Sequence, residues 1–201
     1  ALAGSTPVPL AEVTAYRSSG RGYVLLQGTT GPDGRYQFDG VPPGPYRVYV
    51  DGGPNYIREI YDDIPCSFNC QGGDPAETIV TAVSDQHVSG IDFALAAAGR
   101  ISGTVRNTGE TGLAHPIGIA LYRLSGGQLA TVGSQIAQGN AAGGAFAFDA
   151  LIPGAYVLRT YYAGGGFVYA GEVYQDRGCA ADDCTPDEVA QGTPIALAPS
   201  Q

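Results

Sequence analysis

Apolar and polar residues alternate at every second position in several short stretches of the chain. At 100–105, for example, Ile101, Gly103 and Val105 alternate with Arg, Ser and Thr. This period is that of a strand with one buried face. The same pattern, bounded by turn residues, predicts six further strands in the second half of the chain, at 117–123, 129–137, 145–149, 155–162, 167–174 and 194–198. The pattern predicts an all-β protein with antiparallel sheets.

Helical patterning is weak in comparison. The 201 residues include 31 Gly, 14 Pro and 13 Tyr, a mixture that favours strands and turns over helices. We find no segment with both the period and the length of a helix. Residues 73–83 come closest, but Pro75 and a run of β-branched residues oppose a helix there.

Two Pro-Gly turns, at 43–44 and 153–154, each connect two predicted strands. A tyrosine follows two residues after each glycine, Tyr46 in the first case and Tyr156 in the second. A buried tyrosine usually finds a hydrogen-bond partner for its hydroxyl group. We therefore expect the ring hydroxyl to donate to backbone just upstream and to pin the corner, as in the tyrosine corner of β-sandwiches.

The chain contains an internal repeat. "GRYQFDGVPPGPYRV" at 34–48 matches "GAFAFDALIPGAYVL" at 144–158, an offset of about 110 residues. Upstream, 9–17 resembles 116–123, and downstream, 56–70 resembles 169–184. A period of this length indicates two copies of one domain rather than a solenoid. We predict two tandem antiparallel β-sandwich domains of transthyretin-like or immunoglobulin-like type, at 1–98 and 99–201.

The two copies differ at their ends. The first has a strand-like segment at 88–95 for which the second has no counterpart, and the second opens with 100–105, which the first lacks. We expect the first repeat to lack its first strand and the second repeat to lack its last. Either the chain is a slice of a longer tandem array, or neighbours in an assembly fill the gaps by strand addition. Both interpretations predict neighbours that are joined end to end.

The repeated motif resembles a known family. It runs G-x-Y-x-F-x-G-[VL]-x-P-G-x-Y-x-V, then Y-x-x-E-x-Y, a cysteine pair, and "GIDFAL" leading into "GRISGTV". This is similar to the carboxypeptidase regulatory-like repeats of bacterial surface and secreted proteins. The resemblance implies a transthyretin-like fold, and a role as a spacer or interaction module. Related adhesin repeats carry a Lys–Asn isopeptide bond, which this chain cannot form because it has no Lys.

Charge and hydropathy exclude several partners. The net charge is −9, and no cluster of basic residues is present to follow a nucleic-acid backbone or to bind an anionic membrane surface. No run of 18 or more apolar residues occurs, so we expect no membrane span.

The cysteines form two pairs, Cys66 with Cys70 and Cys179 with Cys184. A four-cysteine zinc site is disfavoured because the spacing is not C-x-x-C and because the pairs fall in separate repeats. A thioredoxin-type redox site requires C-x-x-C before a helix, which is absent. We favour one disulfide inside each repeat, and hence an oxidising compartment, with metal or redox sites as alternatives.

Other candidate chemistry is sparse. The acidic pairs Asp62/Asp63 and Asp182/Asp183 are best interpreted as solvated loop charges, because no calcium-binding loop motif surrounds them. His87 and His115 fall at non-matching positions, and no catalytic motif is found. We predict no enzyme activity, no catalytic residue, no cofactor and no bound metal. Three tyrosines without a partner in the other repeat, Tyr23, Tyr161 and Tyr162, are the candidate ligand contacts.

The prediction for function is a non-catalytic structural module, secreted by a bacterium or displayed on its surface. It would be a stalk or filament unit that spaces or assembles end to end through strand or loop contacts. Its partners would be further copies of itself or adjacent repeats. The alternative is an adhesion module that binds a glycan or a peptide through the candidate tyrosines.

Overall fold

The computed structural model describes residues 1–3, 6–19, 22–66, 70, 77–107, 113, 115–139, 143–162, 170–180 and 183–198. The chain divides into two compact units. The first is built mainly from Ala1–Gly99, and the second mainly from Arg100–Asp149 and Pro153–Ala198. The all-β fold class is confirmed, and the strand pairs whose register the structure describes are antiparallel.

The first unit contains eight described strands. These are β1 (Leu2–Ala3), β2 (Thr6–Pro7), β3 (Glu12–Ser19), β4 (Gly22–Thr29), β5 (Gly44–Asp51), β6 (Arg58–Ile60), β7 (Ile64–Cys66) and β8 (Val80–Ala82). Strands β1 and β2 form a small pair. The other six form one sheet in the order β4-β3-β5-β6-β7, in which β8 also lies beside β5.

Alternation along β3 and β5 defines the core of the first unit. Val13 and Ala15 lie opposite Val50 and Val48 in the antiparallel register, so their side chains share one face of the sheet, and all four are buried. This face also carries Tyr46 of β5, and it packs against further buried side chains from outside the two strands, namely Val8, Ala11, Phe93 and Leu95. Each large apolar side chain buried there contributes about 1.5–3 kcal/mol.

The second unit contains eight further strands and one short helix. They are β9 (Gly99–Val105), β10 (Ile117–Ser125), β11 (Gln128–Ala137), β12 (Gly144–Leu151), β13 (Gly154–Tyr162), β14 (Glu172–Val173), β15 (Arg177–Gly178), α1 (Pro186–Ala190) and β16 (Ile195–Leu197). A six-stranded sheet has the order β11-β10-β13-β14-β15, with β16 beside β13. Strands β12 and β9 form a separate pair.

Most strand predictions for the second repeat are confirmed, because β9, β10, β11, β12, β13 and β16 cover the expected stretches. Of the stretch at 167–174, residues 167–169 lie outside the described residues, and the described part holds only the two-residue strand β14. The strand expected at 88–95 is wrong. Only Ala94 forms a bridge, to Leu2, and Gly90 interrupts the extended backbone with a φ of 78°.

The helix α1 contradicts the expectation that no helix forms. Thr185 is its N-cap and accepts from the Glu188 backbone, while Glu188 reaches back to the Thr185 backbone N–H. Pro186 opens the first turn, where its missing N–H costs nothing. The helix was missed because five residues are too few to show a helical period, although the T-x-x-E capping box marks its start in the sequence. At 73–83 the described residues include β8, which is a strand.

Both Pro-Gly corners have the same construction. The Tyr46 hydroxyl donates to the Pro42 carbonyl at 2.8 Å, as predicted, and Tyr156 is buried to the same degree. An arginine guanidinium also closes each corner: Arg17 donates to the Pro43 carbonyl at 2.7 Å, and Arg123 donates to the Pro153 carbonyl at 3.2 Å. Gly44 is required at its corner because its φ is 145° and a side chain would collide with the Arg17 guanidinium.

Candidate functional site

Both cysteine pairs form disulfides. Cys66 is bonded to Cys70 and Cys179 to Cys184, with Cα–Cα distances of 5.6 Å and 5.0 Å. No described cysteine is free. Each bond closes a very short loop, and on the chain-entropy model it stabilises the folded state by roughly 2 kcal/mol. The bonds therefore hold the shape of two loops more than they hold the domains together.

In the second unit, the disulfide loop covers the face of the sheet that points away from the core residues Tyr156 and Leu158. Side chains alternate along β13, so Val157 points to the other face. There it packs in a cluster with Val173, Cys184 and Val189 of α1. The disulfide and the short helix thus form a second, smaller core on the outer face of the sheet.

Arg159 is the polar centre of this outer face. It donates to the Tyr122 hydroxyl at 2.9 Å and to the Cys184 carbonyl at 3.3 Å, and it forms an ion pair with Asp183. Its guanidinium also lies over the rings of Tyr122 and Tyr161, 5.9 Å and 5.5 Å from their centres. One side chain therefore ties two strands to the disulfide loop by charge-assisted bonds and cation–π contacts.

The first unit has an ion pair in the corresponding region. Arg47 of β5 contacts Glu77 at 2.5 Å, and the Glu77 side chain is only 4% exposed. Beside them, the rings of Tyr16 and Tyr49 meet edge to face with their centres 6.3 Å apart. Burial, together with the Glu77 carboxylate, raises the pKa of Tyr16. The chain after the disulfide is thus anchored to the sheet by an ion pair between the buried Glu77 carboxylate and the partly exposed Arg47 guanidinium.

The three candidate ligand-contact tyrosines have different surroundings. Tyr23 is 76% exposed on β4, and Leu25, two residues on and on the same face, is 47% exposed. Tyr161 is half-buried, because its ring lies over Gly118 and contacts Arg159. Tyr162 is half-buried and points to the opposite face of β13 from Tyr161, since the two are consecutive in a strand. Tyr161 and Tyr162 therefore do not form a joint surface.

The repeated glutamates of the Y-x-x-E-x-Y motif, Glu59 and Glu172, carry carboxyl groups with raised pKa values. Burial raises the pKa of Glu59, the neighbouring Asp63 adds to the shift, and the Ala94 backbone N–H partly opposes it. Burial likewise raises the pKa of Glu172, next to Asp176. The two glutamates occupy matching positions of the repeated motif, and no role is predicted for them from the sequence. The sequence feature that indicates such a buried carboxyl group is a charged residue at an inward-facing strand position in both repeats.

Convergent catalytic or metal-binding groups are not found in the part of the chain that the structure describes. No three His, Cys, Asp or Glu side chains cluster there. His87 and His115 are exposed, as are Asp62 and Asp63. Asp183 is held by Arg159, and Asp182 lies outside the described residues. The acidic pairs of the sequence thus do not converge in the described structure.

The first unit carries a groove with a volume of about 1210 Å³. One wall is the segment 34–43, and the other is the segment 82–92. The floor is formed by core side chains of the six-stranded sheet, namely Ala15, Leu26, Tyr46 and Val48. The groove has no signature in the sequence, because its walls come from segments about 50 residues apart.

Comparisons with known proteins give no relative of this chain. No family model, no curated protein and no solved structure matches it. Across the described residues, no helix has the length and apolar character needed to cross a membrane.

Proposed function

We propose that this chain is a non-catalytic structural module made of two tandem transthyretin-like β-sandwiches, at 1–98 and 99–201. It acts as a stalk or filament unit that spaces its neighbours or assembles with them end to end. The observation that carries this proposal is the repeated framework. Each unit has an arginine-closed Pro-Gly corner, a buried tyrosine after it and a disulfide loop next to the same sheet.

Packing in the second unit supports the sandwich assignment. Ile101 of β9 and Phe148 of β12 are buried, as expected if the β9–β12 pair covers the core face of the six-stranded sheet. The Gln135 side chain accepts from the Ala147 N–H at 3.0 Å and donates to the Ala147 carbonyl. This bidentate contact joins β11 to β12, so the second layer is fastened at its edge. Contacts of this kind between strands make the module rigid, and rigidity suits a spacer.

The disulfides support a location outside the reducing cytosol. Thiol-reducing systems keep such bonds rare in cytosolic proteins, whereas secreted and surface proteins retain them. Two disulfides between cysteines close in sequence are compatible with an extracellular location. We propose that the module is secreted or is displayed on a bacterial surface.

Sizing and imaging test the assembly role. The full chain, kept oxidised, is expected to form species larger than a monomer that grow with protein concentration, as linear particles in negative-stain micrographs. A monodisperse monomer at every concentration tested would remove self-assembly and leave only the spacer role. The matched sample is the same chain with its two disulfides reduced.

A second function is favoured by one observation, the adjacent exposed side chains of Tyr23 and Leu25 on β4. An exposed aromatic ring beside an apolar side chain suits the face of a sugar ring or a peptide side chain. Glycan and peptide arrays probed with Tyr23→Ala test this role, and Tyr161→Ala serves as the half-buried comparison. Binding that is equal in wild type and Tyr23→Ala would rule out this surface.

A further inference from the structure

Strand β4 lies at one edge of the six-stranded sheet of the first unit. Its only neighbour among the described strands is β3. Across Tyr23–Thr29, the backbone makes no hydrogen bond to any other described segment. In an antiparallel sheet, every second residue of an edge strand directs its N–H and C=O groups away from the sheet. The outer side of β4 therefore offers a row of backbone donors and acceptors to a further strand.

The sequence of β4 lacks the features that usually protect an edge strand, which are charged residues, proline, a β-bulge or a short length. The strand has eight residues, and its sequence GYVLLQGT contains no charged residue and no proline. Its register with β3 runs from Glu12↔Thr29 to Ser19↔Gly22 without a shift, so it has no bulge. A long, regular and uncharged edge strand is one that favours pairing with another strand.

The corresponding edge strand of the second unit, β11, has such protection. Its register with β10 shifts between Leu121 and Tyr122, which indicates a β-bulge. Leu129, whose place in the register matches that of Tyr23, packs against the outer-face cluster that contains Val189 of α1. β11 lies at the edge although β9 is present, because β9 pairs with β12. The edge position therefore belongs to the fold of the repeat, whereas its protection differs between the two units.

The side chains of β4 are complementary to those of a second β4 related by a two-fold axis. Residues directly opposite each other in an antiparallel pair point to the same side of the sheet. If Leu25 meets Leu25 of a second copy, Tyr23 lies opposite Gln27 on the outer face and Val24 lies opposite Leu26 on the inner face. No charged side chain of β4 meets another across this pair, although each copy has a net charge of −9. A second copy is therefore the occupant that this edge fits.

We propose that β4 is a self-association edge, through which two copies of this chain pair antiparallel around a two-fold axis at Leu25. The pairing satisfies the outward backbone groups of both strands and joins the two sheets into one. It also covers Tyr23 and Leu25, which are 76% and 47% exposed in the single chain. The inference goes beyond the proposed function, because an isologous pair closes at two copies, whereas end-to-end assembly does not close.

Cysteine cross-linking of the full chain tests the position of the axis, because all four native cysteines are in disulfides. Opposite residues of an antiparallel pair have Cα atoms about 4.5–5.5 Å apart, which is within the range of a disulfide. Under mild oxidation, Leu25→Cys should form a covalent dimer on a non-reducing gel. Tyr23→Cys and Gln27→Cys should each stay monomeric alone and should cross-link to each other when mixed. Leu10→Cys, at an exposed leucine outside β4, is the matched control and should not cross-link.

The cross-linking results decide between the pairing and its register. Leu25→Cys that cross-links no more than Leu10→Cys would overturn the pairing. Cross-linking of Tyr23→Cys alone, at the level expected for Leu25→Cys, would place the axis elsewhere and overturn the register.

Sedimentation velocity over a range of concentrations tests the same contact without cross-links. Leu25→Lys should weaken dimerisation by about tenfold, because it sets like charges directly opposite each other, and Leu25→Glu should do the same. An equimolar mixture of the two variants should dimerise again. Leu10→Lys should behave like wild type, and melting curves check that each variant is folded. Equal dimerisation of wild type and Leu25→Lys would contradict the proposal, as would a monomeric chain that binds glycans through Tyr23.

The pairing and the filament role fail separately in these experiments. Discrete dimers without linear particles would remove the filament role and support the pairing. Linear particles that persist in Leu25→Lys, together with no cross-link in Leu25→Cys, would remove the pairing alone. A monomer at every concentration would remove the pairing and leave only the spacer role.

Discussion

Single residues determine how the fold responds to pH, and Glu59 is the main example. Its carboxyl group is buried on β6, and the loss of water raises its pKa above the ordinary value. One of its oxygens has no hydrogen-bond partner among the described residues. Glu188 shows the opposite case, because the Ala180 and Thr185 N–H groups lower its pKa by stabilising the carboxylate.

Replacing Glu59 by Gln should stabilise the protein at neutral pH. Because the folded pKa is raised, the folded state binds the proton more tightly than the unfolded chain. Stability is therefore highest below the unfolded pKa and falls as pH rises through the folded value. Glu59→Gln should raise the melting temperature at pH 7, and the gain should vanish in acid, where wild type is protonated. Melting curves from acid to neutral pH measure this.

Glu188→Gln is the control, because the pKa of Glu188 is shifted in the opposite direction from that of Glu59. Since its folded pKa is lowered, the carboxylate stabilises the fold above its ordinary pKa, and that stabilisation is lost as pH falls. The substitution should lower stability at neutral pH and have less effect in acid. A melting temperature for Glu59→Gln that is below wild type at pH 7 would contradict the assignment of Glu59 as a buried carboxylate.

Removal of one hydroxyl tests the tyrosine corner. Tyr46→Phe keeps the ring, including its place under the Arg17 guanidinium, but loses the bond to the Pro42 carbonyl. The expected loss is about 1 kcal/mol in the free energy of unfolding. Chemical denaturation measures it, and Tyr23→Phe, at an exposed position, should change stability by less than about 0.5 kcal/mol. Equal stability of the two variants would mean that the corner bond does not contribute.

At the scale of elements, two similar segments of the repeat adopt different secondary structure. Residues 144–151 form β12, whereas the corresponding segment at 34–41 is not a strand. Their apolar patterns are alike, so the difference comes from the neighbour: β12 has β9 beside it. Strand formation depends on a hydrogen-bonding partner more than on the intrinsic preference of the segment.

The disulfide of the second unit should govern the order of α1. A helix of five residues is too short to be stable alone, and this one is held by Val189 in the cluster that contains Cys184. Changing both Cys179 and Cys184 to Ser should cost roughly 2 kcal/mol and speed hydrogen exchange at 186–190.

The matched variant is the pair Cys66→Ser and Cys70→Ser, which should leave exchange at 186–190 unchanged. Thiol titration of the unreduced, denatured wild type should find no free thiol. Four reactive thiols under those conditions would contradict both disulfides, and unchanged exchange in the Cys179 and Cys184 variant would contradict the link to α1.

The whole molecule carries a net charge of −9, which affects any association between copies. Like charges repel over about 8–10 Å at moderate ionic strength, and added salt screens them. The proposed contact uses backbone hydrogen bonds and apolar side chains, which salt does not weaken in the same way.

Assembly is therefore expected to strengthen as salt is added. Sedimentation velocity at low and high sodium chloride measures the distribution of species, and larger species should gain at high salt. The comparison is Asp62→Arg, which makes the net charge less negative at a position outside the groove and outside β4, and should shift assembly in the same direction as salt. Dissociation of assemblies by added salt would indicate that ion pairs, not strand contacts, hold the copies together.

The sequence by itself determined the features that depend on short-range pattern. Alternation is a local property, so β9 to β13 follow from it, as does the Tyr46 corner after its Pro-Gly turn. The short spacing of each cysteine pair predicts a bond within the repeat, and the structure has those bonds. The capping box at Thr185 was also local and readable, but it marks too short a helix for periodicity to reveal.

Only the tertiary structure decided the features that depend on distant neighbours. The segment at 88–95 has a strand pattern, yet only Ala94 bridges to another strand, because its partner β1 is two residues long. Arg159 reaches Asp183 across 24 residues, and the groove walls lie about 50 residues apart. Such contacts depend on how strands are ordered in the sheet, and that order cannot be predicted from a local sequence pattern.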